Sequence, residues 1–84
     1  GGEEFCCLLP ETCIDSAVIL AERFREVVSN DNFKFGDHSL KVTISLGVSE
    51  IREDIDSLDL LLKKANEALY NAKANGRDRV ILMN

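Results

Sequence analysis

The sequence predicts an α+β fold, a sheet packed by two helices, and three observations carry that expectation. Two segments of helical length place apolar residues on one face. A stretch between them alternates apolar and polar residues with period two. Short apolar runs stand near both ends of the chain and read as buried strands. The expected order is strand, helix, hairpin, helix, strand.

Phe5-Cys6-Cys7-Leu8-Leu9 is a continuous apolar run stopped by Pro10, and it reads as the first strand. Pro10-Glu11-Thr12 connects it to a helix beginning near Thr12 or Cys13, where Thr12 and Asp15 resemble a capping pair. From Ile14 to about Ser29, the residues Ile14, Ala17, Val18, Ala21, Phe24, Val27 and Val28 mark the expected apolar face. Asn30-Asp31-Asn32 supplies turn chemistry. Phe33-Lys34-Phe35, a turn at Gly36-Asp37-His38, and the alternation Leu40, Val42, Ile44, Leu46, Val48 predict a hairpin with a long, half-buried second strand. Gly47 inside that strand marks either a bulge or a close approach by a neighbouring group. Ser57 is a good N-cap for a second helix running from Leu58 to about Asn75, with Gly76 at its C-terminal cap. Val80-Ile81-Leu82 closes the chain as a strand.

The 84 residues allow one small domain, and no repeat or linker divides it. A formal net charge of −5 argues against a general nucleic-acid-binding surface. No apolar run approaches the roughly 18 residues that span a bilayer, so no direct membrane contact is expected of this segment. Cys6, Cys7 and Cys13 are an odd count without metal-ligand spacing; a reduced, buried structural role and a cytoplasmic setting are expected. Charge is uneven: Glu3, Glu4 and Glu11 stand near the start, and Lys73, Arg77 and Arg79 near the end. Were the two ends to meet, carboxylates would lie beside cations, an arrangement suited to a metal-bound triphosphate. As isolated clusters they read equally as solvated surface.

The signature Gly1-Gly2-Glu3-Glu4-Phe5 and five blocks after it, in order, then carry a resemblance. The first two of the five are Leu8-Leu9-Pro10 and Ala21-Glu22-Arg23-Phe24-Arg25, and three further matches follow. Val42-Thr43-Ile44-Ser45-Leu46-Gly47-Val48 is similar to V-T-x-S-x-G-V. Leu61 to Lys73 is similar to L-L-x-x-A-D-x-A-L-Y-x-A-K, and Gly76-Arg77-Asp78-Arg79-Val80 to G-R-N-R-V. The chain resembles the C-terminal half of a diguanylate cyclase (GGDEF) domain over nearly its whole length.

The resemblance implies a partial ferredoxin-like, nucleotidyl-cyclase-like sheet that lacks the family's first strand and preceding helices. It implies condensation of two GTP molecules into cyclic di-GMP and pyrophosphate in a head-to-tail homodimer, with two Mg2+ ions. Glu3 is implied as metal ligand and proton acceptor, and Glu4 as a supporting metal-site carboxylate. Gly1 and Gly2 are implied at a tight tip that lets nucleotide approach, and Lys73 and Arg77 as the phosphate grip. A Lys point charge and an Arg fork would serve that grip differently, and both also complement the helix dipole. Asn66 and Asp78 depart from the family's usual Asp and Asn. The family's other metal-binding Asp and guanine pocket lie upstream, so this chain alone is expected to be inactive and to self-associate through unpaired strand edges. Any membrane anchor of the parent would lie outside this segment. A non-catalytic nucleotide-sensing or protein-interaction module is the alternative.

Overall fold

The computed structural model describes residues 4–51 and 57–83. The elements in order are α1 (Ile14–Asn30), β1 (Asn32–Phe35), β2 (His38–Lys41), β3 (Leu46–Ser49), α2 (Leu58–Ala74) and β4 (Val80–Met83). The α+β expectation holds, with both helices where their periodicity puts them. None of the described helices is long and apolar enough to cross a membrane.

The centre is a β3–α2–β4 crossover. β3 and β4 pair in parallel, Leu46 opposite Val80 and Ser49 opposite Met83. Parallel neighbours need a crossover between them, and α2 provides it. Ala68 and Ala72, one turn apart on α2, are fully buried, and Ala17 and Ala21 are their counterparts on α1. Both helices pack against β3 and β4. Gly47 resolves as a close approach: a Cβ there would overlap the Ala65 carbonyl oxygen and the Leu69 amide nitrogen. The missing side chain lets strand and helix backbones come together.

Helix ends follow local chemistry, with one exception. Ser57 Oγ accepts a hydrogen bond from Leu60 N at 3.2 Å and caps α2. At the other end, Gly76 N donates to Lys73 O and Arg77 N to Ala72 O, the two bonds of a Schellman motif with Gly76 at φ +116°. At α1 the N-cap is Cys13, whose side chain takes no capping bond from a backbone amide, while Thr12 Oγ1 turns back to the Pro10 carbonyl. Glu50, following β3, accepts from Ile14 N at 3.1 Å instead. The expected Thr12–Asp15 cap is replaced by one supplied from a distant part of the chain.

Four further expectations are corrected. Phe5–Leu9 forms no strand, and Phe5 is 93% exposed. An apolar run becomes a strand only beside a partner, and none of the described strands pairs with it. The long strand from Leu40 to Val48 is two strands separated at Val42–Ser45. β2 pairs antiparallel with β1 through a two-residue turn opened by Gly36 at φ +58°, whereas β3 turns to β4. Alternation sets which side chains share a face, not which strand lies alongside. All of β2 is exposed. Cys6, Cys7 and Cys13 are free and exposed rather than buried. On α1, Phe24 and Val27 face outward while Arg25 is part-buried, so the packed face is rotated from the one the apolar pattern suggests.

Candidate functional site

Glu4 and Lys73 are 69 residues apart, yet Lys73 Nζ donates to Glu4 Oε2 at 2.9 Å. Lys73 stands in the last turn of α2. The stretch from Glu4 to Cys13, irregular apart from a turn at Pro10–Glu11, brings Glu4 against that turn of α2. Glu4, near the start, and Lys73, near the end, do meet, carboxylate against ammonium. The Lys73 hydrogen bond and charge hold the Glu4 carboxyl below the usual glutamate range. Gly1, Gly2 and Glu3, named as substrate-binding and catalytic positions, lie outside the described residues.

A shallow cleft opens beside the ion pair, lined by Glu4, Asn66, Leu69, Tyr70 and Lys73. Asn66, Tyr70 and Lys73 follow one another at helical spacing and form one stripe of α2. Tyr70 is 72% exposed, so it is a surface residue of this cleft. The spacing is the available sign that Asn66 and Tyr70 share a face with Lys73.

Arg77 is outside this lining. The Schellman bonds fold its backbone back over the end of α2, at φ +61°. Among the described residues its guanidinium makes no hydrogen bond or ion pair. Arg79 Nε donates to the Arg77 carbonyl at 3.0 Å, a bond within the turn rather than a charge pair. Across the turn, Asp78 meets Arg25 of α1 at 2.8 Å, and Arg25 also holds Glu22. Those two carboxylates, Glu22 first, raise the Arg25 pKa further above its already high value.

The site can therefore offer a carboxylate, a lysine point charge and an arginine fork, unpartnered among the described residues, at one end of α2. Carboxylate oxygens are the donors a magnesium ion takes, and one or two suffice because the ion keeps several waters. The described residues contain no cluster of three His, Cys, Asp or Glu side chains able to hold a metal by themselves.

The chain matches the family model described as "Diguanylate cyclase, GGDEF domain" over residues 1–79. It is 40% identical over 82 residues to diguanylate cyclase A of Treponema denticola, covering 98% of this chain and 22% of that protein. It is 45% identical over 83 residues to the response regulator PleD of Caulobacter vibrioides, covering 96% of this chain and 18% of the relative. Among solved structures, it is similar to the active GGEEF domain of a diguanylate cyclase from Vibrio cholerae. That likeness has a TM-score of 0.76 and 26% identity, and covers 90% of this chain and 47% of the other. The chain thus spans about a fifth of the length of these curated relatives and about half of the solved domain. The match over residues 1–79, with a fold shared with a solved GGEEF domain, means that this chain belongs to the GGDEF family of diguanylate cyclase domains.

Proposed function

We propose that the chain is the C-terminal half of a single catalytic domain that condenses two GTP molecules to cyclic di-GMP and pyrophosphate. Catalysis takes two copies of that domain, head to tail, and this half alone turns over no GTP. The observation that supports the reading is the Glu4–Lys73 ion pair, which joins the signature to the cationic end of α2.

Each residue has a part to play. Lys73 and Arg77 bind phosphate oxygens, one as a point charge and one as a planar fork. Gly1 and Gly2 let nucleotide approach the backbone. Glu3 accepts the proton of the ribose 3′-hydroxyl as its oxygen attacks the α-phosphorus. The bond to the bridging oxygen breaks, and pyrophosphate leaves. Glu3 and Glu4 would hold magnesium, which when bound neutralises phosphate charge and makes the hydroxyl more acidic. Lys73 pairs with Glu4. The same contact keeps the phosphate grip and the metal side within reach of one triphosphate.

The test is GTP turnover with magnesium, run on this chain and on a protein extended upstream through the whole domain. Turnover is expected only in the extended protein, and Glu3→Gln is expected to abolish it. Two folded but inactive proteins would overturn the cyclase reading in favour of a nucleotide-sensing or interaction module. Turnover by the isolated chain would overturn the claim that half a domain is insufficient.

A further inference from the structure

Gly76, Arg77 and Asp78 are consecutive and all left-handed, with φ of +116°, +61° and +48°. Glycine adopts this region freely, but residues with a Cβ do so only when their surroundings hold them there. Two of the holding contacts are local: the amide bonds to Ala72 and Lys73 that end α2, and the Arg79 bond to the Arg77 carbonyl. The third comes from elsewhere in the fold. Arg25 of α1, 53 residues away in sequence, donates from Nη1 to Asp78 Oδ1 at 2.8 Å.

Arg25 is well prepared for this contact. Its Nε donates to Glu22 Oε1 at 2.8 Å, Nη2 bonds the same oxygen, and its side chain is only 19% exposed. One edge of the guanidinium plane is therefore pinned to α1 while another is presented to the loop. An ordinary surface ion pair contributes little to stability. This one acts on a strained residue directly beside Arg77, whose guanidinium makes no bond to any described residue.

We propose that Arg25 and Asp78 are positioning residues for Arg77: they lock the left-handed loop so that the Arg77 guanidinium is presented at the end of α2, next to Lys73, to the phosphates of a nucleoside triphosphate. The proposal rests on the reading of Arg77 as a phosphate ligand. Neither residue touches the nucleotide. Asn at residue 78 would also serve, because it tolerates left-handed angles and keeps an oxygen acceptor for Arg25.

The experiment measures KM and kcat for GTP, and magnesium-dependent binding of inorganic tripolyphosphate by calorimetry, in the protein carrying the complete domain. Arg77→Ala is expected to weaken both KM and tripolyphosphate affinity about tenfold, and Asp78→Ala and Arg25→Met nearly as much. kcat at saturating GTP should be little changed in Asp78→Ala, and Asp78→Asn should stay within about twofold of the parent. The deciding variant is Arg77→Ala/Asp78→Ala, which should be no weaker than Arg77→Ala alone, because Asp78 acts only through Arg77. Full affinity in Asp78→Ala, or losses that multiply in the double variant, would overturn the positioning role while leaving Arg77 as a ligand. Unchanged affinity in Arg77→Ala would overturn the phosphate reading and the positioning role together.

Discussion

The β3–α2–β4 crossover and the run Phe5–Leu9 are built from similarly apolar sequence, yet only one is packed. In the crossover Ala68 and Ala72 have no exposed surface, and strand and helix backbones close on each other over Gly47. In Phe5–Leu9 an equally continuous apolar run stays out of any strand, with Phe5 93% and Leu8 63% exposed. The β1–β2 hairpin is intermediate: its ladder is formed, but all eight residues are exposed and it packs chiefly on itself. The difference lies in where partners come from. The helix joining β3 to β4 brings a parallel neighbour back within the same short stretch of chain. Residues 5–9 have no such neighbour among the described strands.

The largest expected effect follows from that contrast. An isolated two-stranded hairpin is marginal in water, and exposed apolar patches beside unpaired backbone are adhesive. Phe5, Phe35 and Val27, at 93%, 75% and 70% exposure, should therefore drive the isolated chain to self-associate. Light scattering should give a mass above the 9.3 kDa of one chain, rising with concentration. A concentration-independent monomer would mean that the unpacked region is closed in solution and that the contrast between the regions is smaller than described.

Two glycines sharpen the same comparison within a stable background, the complete domain. Gly47→Val places a side chain where even a Cβ would collide with the backbone of α2, and should cost about 3 kcal/mol in urea unfolding. At Gly36 in the hairpin turn, an added methyl group would meet nothing within 4 Å, so Gly36→Ala should cost only about 1 kcal/mol, from its φ of +58°. Equal losses would mean that the hairpin turn is as tightly constrained as the crossover.

How much of the fold and site is legible in the sequence follows the same division. Both helices, the Ser57 cap and the Gly76 C-cap are readable because they depend on residues a few positions apart. The break at Val42–Ser45 is not, because alternation continues unbroken through it while the hydrogen-bonding partner changes from β1 to β4. Nor is the cap of α1, which Glu50 supplies from 36 residues away. The meeting of Glu4 with Lys73 is conditional on the ends of the chain coming together, and charge asymmetry is its only sign. Phe24 and Val27 mislead because residue type points inward, whereas the Arg25 contacts to Glu22 and Asp78 draw the adjacent position in. Composition reports what could be buried, and long-range partners decide what is.

The smallest expected effect tests where packing gives way to the exposed residues before α1. Cys13 is the N-cap of α1, and its Sγ lies 3.3 Å from Ser16 Oγ. The hydrogen bond with the Ser16 hydroxyl favours the thiolate and is the largest cause that holds the Cys13 pKa below the usual thiol range. Removing the hydroxyl by Ser16→Ala removes that cause, so the pKa should move up toward the ordinary value. The thiolate is the form that reacts, so alkylation of Cys13 by iodoacetamide, followed by peptide mass spectrometry to separate it from Cys6 and Cys7, reports the titration. The midpoint of rate against pH should shift to higher pH in Ser16→Ala, and the rate at neutral pH should fall. An unchanged midpoint would mean that the first turn of α1 is not held at Cys13 in solution, and that the boundary between the packed and unpacked regions lies further along the helix.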